Sequence, residues 1–290
     1  MYGAIEAGGT KFVCAVSDDN FNIVDRVSFP TTKPAETMMQ TIQFFQKYDV
    51  KAIGVGSFGP IDVNPASETY GYITSTPKDG WRDYDFLGVL KEDIDVPMYW
   101  TTDVNAAAYG EYQVGAAKAC QSCLYLTVGT GVGGGYVNDG TILEGFTHPE
   151  MGHILLTKAP DDPTPGCCPF HNDRCLEGLA SGTAITARTG KKGVELDSDD
   201  QNWDHVADYL AQACMTFTLT LSPEKIILGG GVMKQPQLLP KIKEKLMAYM
   251  NGYSTMPAIE SYIETPGLGD NAGVTGALYL AKVALDESEH

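Results

Sequence analysis

The chain has 290 residues, of which 37 are acidic and 20 basic, so its formal net charge is −17 and its isoelectric point lies near 4.5. Such acidity argues against nucleic acid as a partner, because phosphate contacts need a basic face. Hydrophobic residues make up 43% of the sequence, and no apolar run approaches the length that crosses a membrane. We therefore expect a globular protein, long enough for two lobes.

The first part of the chain predicts an α/β arrangement. Residues 2–7, 12–17 and 23–29 are apolar or alternating segments separated by turn residues, which predicts three adjacent antiparallel strands. The elements that follow are a helix over 34–48, a strand over 52–57, a short helix over 84–90, a strand over 98–102 and an Ala-rich helix over 105–115.

The second part repeats this order. It predicts strands over 123–128 and 133–137 around a turn at 129–131, helices over 181–189 and 203–221, a strand over 225–228, a helix over 237–250, a strand over 258–263 and a helix over 272–285. The echo indicates a duplicated α/β fold. We divide it into an N-terminal lobe, residues 1–117, and a C-terminal lobe, residues 118–290.

Two Gly-rich turns are candidates for phosphate binding. The first turn, residues 8–11, contains Gly8, Gly9, Thr10 and Lys11, and the second, residues 129–131, contains Thr130 and Gly131. Glycines let the backbone approach a ligand closely, and a lysine offers charge to phosphate oxygens. Neither turn is followed directly by a helix, so neither is a P-loop or a dinucleotide fingerprint. The alternative is an ordinary hairpin turn.

Two other segments suggest ligand contacts. Gly229, Gly230 and Gly231 end a strand and are expected to open a helix, where backbone N–H groups bind a nucleoside or phosphate; tight strand–helix packing is the alternative. Asp103 follows a strand and could accept a hydroxyl proton. Spacing alone favours the alternative that Asp103 is the N-cap of the following helix.

The segment from 153 to 175 predicts a metal site. Cys168, His171 and Cys175 lie close in sequence and His153 arrives from upstream, so the four can form a tetrahedral zinc shell. Cys167 could replace Cys168, and unpaired thiols are the alternative for the whole set. The seven cysteines are odd in number and three of them crowd between Cys167 and Cys175, which indicates metal ligation in a reducing compartment. No secretory signal pattern is seen at Met1, so we expect a cytoplasmic protein.

Taken together, these motifs resemble the ROK family of sugar kinases, and more narrowly its fructokinase branch. The resemblance covers nearly the whole chain. The matching motifs are, in order, residues 5–11, 56–61, 103–111, 127–135, 150–153, 168–178, 228–232 and 267–273. Each motif alone is moderately specific, and the ordered set is very specific.

The resemblance implies a duplicated ribonuclease H-like (actin/hexokinase-like ATPase) fold, with two lobes and a central cleft that binds Mg-ATP and a hexose. It implies Asp103 as the general base and fructose as the sugar, converted to fructose 6-phosphate. It also implies a homodimer and a structural Zn²⁺ held by His153, Cys168, His171 and Cys175; alignment from the final Cys favours Cys168 over Cys167. The residues implied for ATP are Gly8, Gly9, Thr10, Lys11, Thr130, Gly131, Gly229, Gly230, Gly231 and Met233. Those implied for sugar are Gly59, Pro60, Asp103, Asn105, Glu150, His153 and Glu177.

The chain departs from the family pattern at three points. Glu6 stands where the family usually has Asp, which changes the reach to Mg²⁺, and Thr102 stands where Asn is frequent, which weakens a glucose interpretation. His171 replaces a Cys of the metal pattern. Because the first turn begins within ten residues of Met1, we expect no DNA-binding segment like that of the family's repressors. Kinases for glucose, mannose or an N-acetylhexosamine, and a non-catalytic sugar sensor, stay open as alternatives.

Overall fold

The computed structural model describes residues 1–289, and the chain divides into two compact units. Unit 1 contains Met1–Lys118, Gly140–Pro149 and the segment from Asp270 onward; unit 2 contains Ala119–Asp139 and Glu150–Gly269. The sequence-based division placed residues 140–149 and 270–290 in the C-terminal lobe, and this differs from the structure. The difference arises because the last helix packs on the sheet of unit 1.

Unit 1 contains a five-stranded mixed sheet and a separate two-stranded sheet formed by its fifth and sixth strands. The strands are β1 (Tyr2–Ala7), β2 (Lys11–Ser17), β3 (Ile23–Pro30), β4 (Ala52–Ser57), β5 (Tyr72–Ile73), β6 (Tyr84–Asp85) and β7 (Met98–Thr102), and the helices are α1 (Pro34–Phe45), α2 (Phe86–Asp93), α3 (Asp103–Val114) and, at the C-terminus, α9 (Ala272–Ser288). The sheet order is β3-β2-β1-β4-β7. β1 pairs antiparallel with β2 and parallel with β4, so the sheet joins a hairpin to parallel strands.

Unit 2 repeats this plan. Its strands are β8 (Ser122–Val128), β9 (Val132–Asn138), β11 (Lys225–Gly229) and β12 (Ile263–Glu264), and its helices are α4 (Leu176–Ala180), α5 (Gly182–Thr189), α6 (Asn202–Leu221), α7 (Leu238–Met250) and α8 (Ile259–Tyr262); a short strand, β10 (Thr141–Ile142), follows β9 in sequence. β8 pairs antiparallel with β9 and parallel with β11. The predicted duplication is therefore confirmed, because β1 and β8 occupy equivalent positions.

Each unit is stabilised by an apolar core of its own. In unit 2, α6 presents Trp203, Val206 and Leu210, all fully buried, to the sheet and to its neighbouring helices. In unit 1, Ile5 and Phe12 from the hairpin pack into the core on one face of the sheet. Burial of apolar side chains at this scale is the main stabilising contribution to such a fold.

α3 and α9 pack at unusually close range. A Cβ atom added at Gly276 would lie 1.7 Å from the carbonyl oxygen of Ala106, and one at Gly110 would lie 2.4 Å from an α9 carbonyl oxygen. On the sheet, a Cβ at Gly54 would lie 1.9 Å from the carbonyl oxygen of Ala277. Backbone therefore meets backbone at these glycines, and α9 fixes the position of α3 within unit 1.

Three predicted elements differ from the structure. The strand expected over 258–263 is the short helix α8 followed by two strand residues, and the helix over 84–90 begins only at Phe86, after β6. The Gly229 motif does not open an α-helix, because a three-residue 3-10 turn follows and α7 starts at Leu238. No helix among residues 1–289 is both long and apolar enough to span a membrane.

Candidate active site and metal centre

The N-terminus of α3 presents the acid that the sequence singled out. Thr102 ends β7 in an extended conformation, and its Oγ1 accepts the backbone N–H of Asn105 at 3.1 Å. Thr102 is thus the N-cap. Asp103 is the first helical residue, and its Oδ1 accepts the backbone N–H of Val104 at 2.8 Å. The capping role that spacing favoured for Asp103 therefore belongs to its neighbour, and a helix N-terminus stabilises the ionised carboxylate.

Asn105 lies two residues after Asp103 in α3, and only 1% of its surface is exposed. Its Nδ2 donates to Thr101 Oγ1 at 3.0 Å. Its Oδ1 is buried and has no hydrogen-bond partner within residues 1–289. An unsatisfied buried carbonyl oxygen is costly, so this atom is suited to accept a hydrogen bond from a ligand hydroxyl.

The first turn is a tight β1–β2 hairpin. Gly8 N–H donates to the carbonyl oxygen of Lys11 at 3.0 Å, and a Cβ at Gly8 would lie 2.8 Å from that same oxygen. Thr31, which sequence reasoning missed, donates from Oγ1 to the carbonyl oxygen of Gly8 at 2.7 Å. Thr10 and Lys11 are exposed, so their polar groups are accessible to a ligand.

Glu6 precedes this turn at the end of β1. Burial raises the pKa of its carboxyl, whereas the charges of Arg26 and Lys11 lower it. A Cβ at Gly273 would lie 2.6 Å from Glu6 Oε1, so the carboxylate packs directly on the first turn of α9. The longer side chain in place of the family's Asp is therefore accommodated by a glycine on the helix opposite.

The loop of residues 58–61, the Pro60 loop, contains the predicted sugar contacts Gly59 and Pro60. Phe58 N–H donates to the carbonyl oxygen of Ala7 at 2.7 Å, which ties the loop to the end of β1. The Pro60 carbonyl oxygen accepts from Thr74, from the backbone N–H at 2.8 Å and from Oγ1 at 3.0 Å. These bonds give the loop a defined conformation within unit 1.

In unit 2 the second turn lies against the start of α5. Gly182 N–H donates to the carbonyl oxygen of Gly129 at 2.7 Å, and Thr183 Oγ1 donates to that of Thr130 at 2.8 Å. The Ser181 side chain caps α5 by accepting the Ala184 N–H at 3.1 Å. The turn is thereby fixed by its carbonyl oxygens.

A cavity of about 600 Å³ opens beside the second turn. Its lining is Gly129, Thr130, Gly182, Thr183, Ile185, Thr186, Lys192, Gly193, Val194, Trp203, Gly231, Val232 and Gln235. The size and the largely apolar lining suit a nucleoside. Of the predicted ATP-binding residues of unit 2, Thr130 and Gly231 line it. The contribution of residues 183–203 was missed, because α5 and the loop after it bear no motif.

Gly229, Gly230 and Met233 do not line this cavity. A Cβ at Gly229 would lie 2.3 Å from the hydroxyl of Tyr125, and Gly230 has φ of +89° and packs on the backbone of Val128. The Met233 side chain is 6% exposed and belongs to the core. Gly229 and Gly230 therefore pack closely against β8.

The four predicted metal ligands converge in unit 2. One donor atom from each of His153, Cys168, His171 and Cys175 lies within 4.8 Å of the others. Cys168 Sγ is 3.7 Å from His153 Nδ1 and 3.6 Å from His171 Nδ1, and Cys175 Sγ is 3.7 Å from His153 Nδ1. Tetrahedral zinc with Zn–S near 2.3 Å and Zn–N near 2.1 Å separates S and N by about 3.5 Å. The donor set therefore fits zinc.

We call His153, Cys168, His171 and Cys175 the metal cluster, and the groups around them also fit a zinc site. The backbone N–H groups of His171 and Gly178 point at Cys168 Sγ and Cys175 Sγ, each at 3.4 Å, as expected for thiolate acceptors. Cys167 Sγ lies instead 3.5 Å from Ser181 Oγ, which removes it from the shell. The choice that the sequence left open is thus made in favour of Cys168.

Glu177 and Glu150 flank the metal cluster in different ways. Glu177 Oε1 lies 3.9 Å from His153 Nε2, while its Oε2 accepts the Val132 N–H at 2.9 Å. A Cβ at Gly131 would lie 2.6 Å from that Oε2, so Glu177 contacts both a metal ligand and the second turn. Desolvation, with repulsion from Glu177, raises the pKa of Glu150, while His153 lowers it.

A buried ion pair between Asp162 and Arg188 joins the loop before Cys167 to α5. Arg188 donates to Asp162 from Nε at 2.8 Å and from Nη2 at 3.0 Å, and the two side chains are 3% and 0% exposed. Tyr209 Oη donates to the same carboxylate at 2.6 Å. These bonds outweigh desolvation, which acts in the opposite direction, and hold the pKa of Asp162 down at about 2.

Comparison with known proteins identifies a family for this chain. Over residues 2–284 the chain matches the model of the ROK family. It is 53% identical over 285 residues to a fructokinase of Pediococcus pentosaceus, covering 98% of this chain and 99% of that protein. It is 41% identical over 293 residues to a fructokinase of Zymomonas mobilis, covering 98% and 97%.

Solved structures show the same architecture. The ROK hexokinase of Thermus thermophilus matches with a TM-score of 0.80 at 28% identity, covering 99% of both chains. A ROK family glucokinase of Streptomyces griseus, solved with glucose and AMPPNP, matches with a TM-score of 0.72 at 22% identity and covers 97% of this chain and 99% of that one; this likeness concerns the fold alone. The duplicated actin/hexokinase-like fold is thereby confirmed, and the chain belongs to the ROK family.

Proposed function

We propose that this protein is an ATP-dependent hexose kinase that converts D-fructose to D-fructose 6-phosphate. The observation that carries the proposal is identity of 41–53% over nearly the full chain to several fructokinases. A glucokinase of Halalkalibacterium halodurans is more distant, at 32%. The transfer of a phosphoryl group from ATP to a sugar hydroxyl needs a nucleotide site, a sugar site and a base, and each has a candidate here.

The nucleoside of ATP occupies the cavity of unit 2 in this proposal. Ile185, Val194 and Trp203 offer apolar surface to the base, and Gly231 leaves space for it. The exposed hydroxyl of Thr10 and ammonium of Lys11 on the first turn, and the backbone of the second, contact the phosphates. Such groups stabilise charge on the transferred phosphoryl group, and positioning with electrostatics dominates phosphoryl transfer.

Fructose is bound by acceptors and donors near the N-terminus of α3. The unpartnered Oδ1 of Asn105 accepts a sugar hydroxyl, and the Pro60 loop, Glu150, His153 and Glu177 complete the set. Asp103 accepts the proton of the primary hydroxyl as its oxygen attacks the γ-phosphorus, and the bond to the leaving ADP oxygen breaks. Glu177 also holds Val132 beside the second turn, so it contributes by positioning.

Two metals belong to the proposal. His153, Cys168, His171 and Cys175 hold Zn²⁺, which fixes the orientation of His153 and Glu177 and takes no part in the reaction. Mg²⁺ enters with the nucleotide and, when bound, neutralises charge on its phosphates. We also infer a homodimer from the family resemblance; the molar mass in solution, measured by light scattering, tests it.

The test is a hexose panel at fixed Mg-ATP. Fructose, glucose, mannose and N-acetylglucosamine are each assayed by coupled ADP release, and the product is identified by its ³¹P and ¹³C NMR signals. We expect the highest kcat/KM with fructose and phosphate at its O6. A higher kcat/KM with another hexose would correct the substrate, and ADP release with none would support a sugar-binding protein instead.

A further inference from the structure

His148 is a buried histidine outside the predicted sites. It lies in the 140–149 segment of unit 1 and is only 5% exposed. Its Nε2 accepts the backbone N–H of Ile61 at 3.1 Å, across 87 residues of sequence. A buried polar pair of this kind fixes one segment against another, because breaking it leaves a desolvated donor without a partner.

The Pro60 loop lies directly on the imidazole ring. A Cβ at Gly59 would lie 3.7 Å from His148 Nε2, 3.8 Å from its Cε1 and 3.2 Å from the nitrogen of Ile61. The ring therefore lies beside the residue before Pro60 and accepts a hydrogen bond from the residue after it. Pro60 has no N–H of its own, so the loop is secured through its neighbours and through its carbonyl oxygen.

The contacts also define the tautomer of His148. Nε2 accepts a hydrogen bond, so it carries no proton. A neutral imidazole carries a proton on only one of its two ring nitrogens. Nδ1 is therefore the protonated nitrogen. Burial lowers the pKa of His148, which favours this neutral form, while the bond to Pro149 opposes the shift.

We infer that His148 is a positioning residue for the hexose: as the neutral, Nδ1-protonated imidazole it holds the Pro60 loop in the conformation that contacts the sugar. It acts through the loop and does not touch the reacting atoms. This inference rests on the proposed function, because it requires the loop to contact a hexose. It assigns a role in sugar affinity, distinct from the roles of Asp103 in proton transfer and of the unit 2 cavity in nucleotide binding.

Two substitutions separate this role from general stability. In His148→Gln the side-chain carbonyl oxygen can still accept the Ile61 N–H, whereas in His148→Leu no acceptor is left. His205→Leu is the matched control, because His205 is also buried, at 7%, and is not among the proposed sugar contacts. Calorimetric titration with D-fructose, without nucleotide, measures sugar binding, and steady-state kinetics gives kcat and the KM for ATP.

For His148→Leu we expect fructose affinity and the KM for fructose to weaken about tenfold, as for a buried donor that loses its acceptor. The KM for ATP and kcat should stay within about twofold, since only uniform sugar binding is lost. His148→Gln should recover most of the affinity, and His205→Leu should match the wild type. Unchanged fructose affinity in a folded His148→Leu variant, or equal losses in both His148 variants, would overturn the inference.

The protonation of the His148 ring and the hydrogen exchange of the Ile61 amide can both be measured without sugar. They therefore test the anchoring of the loop independently of the proposed function. Long-range ¹H–¹⁵N spectra of the wild type should show an unprotonated Nε2, and Ile61 amide exchange should accelerate in His148→Leu. A wild type that phosphorylates no hexose refutes the proposed function, and one that binds none also refutes the sugar role of His148. A protonated Nε2, or unchanged Ile61 exchange, refutes the anchoring itself whatever the sugar results.

Discussion

Thr102 Oγ1 accepts the backbone N–H of Asn105 at 3.1 Å, so the residue before Asp103, and not Asp103, caps α3. Removing the charge of Asp103 should therefore leave the helix intact. For Asp103→Asn we expect kcat to fall by about 100-fold or more, the usual range for loss of a general base. The measurement is coupled ADP release with fructose, beside a thermal unfolding curve that should match the wild type.

The paired controls come from the same part of unit 1. Asp95→Asn removes an exposed carboxylate before β7 and should leave kcat unchanged. Thr102→Ala should destabilise unit 1 by about 1 kcal/mol through loss of the cap. Near-normal turnover in a folded Asp103→Asn variant would remove Asp103 from the role of base.

The metal cluster makes a prediction about two cysteines that lie eight residues apart. Cys175→Ser should lose bound zinc and unfold at lower temperature, because Cys175 Sγ is one of the four donors. Cys167→Ser should keep one equivalent of zinc, since its sulfur contacts Ser181 instead. Metal content by plasma mass spectrometry decides between them. Full zinc in Cys175→Ser, or its loss in Cys167→Ser, would contradict the assignment.

The cavity beside the second turn predicts a selective effect on nucleotide affinity. Gly231 lines it, and no atom lies within 4 Å of a Cβ added there, so a side chain would occupy the space of the nucleoside. We expect Gly231→Val to raise the KM for ATP about tenfold, the loss of roughly 1.4 kcal/mol of binding, with the KM for fructose unchanged. Gly145→Val, in an exposed loop of unit 1, is the control. Unaltered ATP kinetics would argue that the base binds elsewhere.

The buried pair of Asp162 and Arg188 predicts sensitivity to acid. The folded-state pKa of Asp162, about 2, lies below its ordinary value of 3.8. Its contribution to stability is therefore present above pH 3.8 and is lost as the pH falls through 2, and it amounts to about 2 kcal/mol. In Asp162→Asn this part of the pH dependence should vanish, and the buried Arg188 left without its counter-charge should cost about 3–5 kcal/mol at pH 7.

Urea unfolding of metal-free protein at several pH values between 2 and 7 measures this effect. Asp173→Asn is the matched control, because Asp173 pairs with Lys158 at 2.8 Å in the same segment but is 35% exposed. It should change the unfolding midpoint little, as surface pairs contribute at most about 1 kcal/mol. Parallel pH curves for the wild type and Asp162→Asn would contradict the prediction.

The sequence predicted most elements of the fold, because apolar periodicity and turn residues act locally. The hairpin β1–β2 and the helices α1, α3 and α6 follow from such patterns. The predicted strand over 258–263 was wrong because four of those residues form the single helical turn of α8, and β12 is left with two residues. So short an element is decided by packing, and the apolar pattern alone does not distinguish the two states.

The candidate site was predictable where chemistry demands particular residue types. Two Cys and two His in a short segment predict a metal cluster, and the structure brings all four together. Thr31, Trp203 and His148 were missed because they contribute one hydroxyl, one apolar face and one ring nitrogen. The partners of Thr31 and His148 lie 23 and 87 residues away in sequence, which no local pattern reveals.

The contacts of α9 with α3, through Gly110 and Gly276, and with β4, through Gly54, limit how this protein can change. A methyl group at any of the three would push on a neighbouring main chain, and the displacement would reach Asp103 through the body of its helix. Repair would require a second main chain to move as well, which no single substitution achieves. If the proposed function holds, we therefore expect changes of sugar preference to arise in loops such as the Pro60 loop, while the position of Asp103 on α3 stays constant among related proteins.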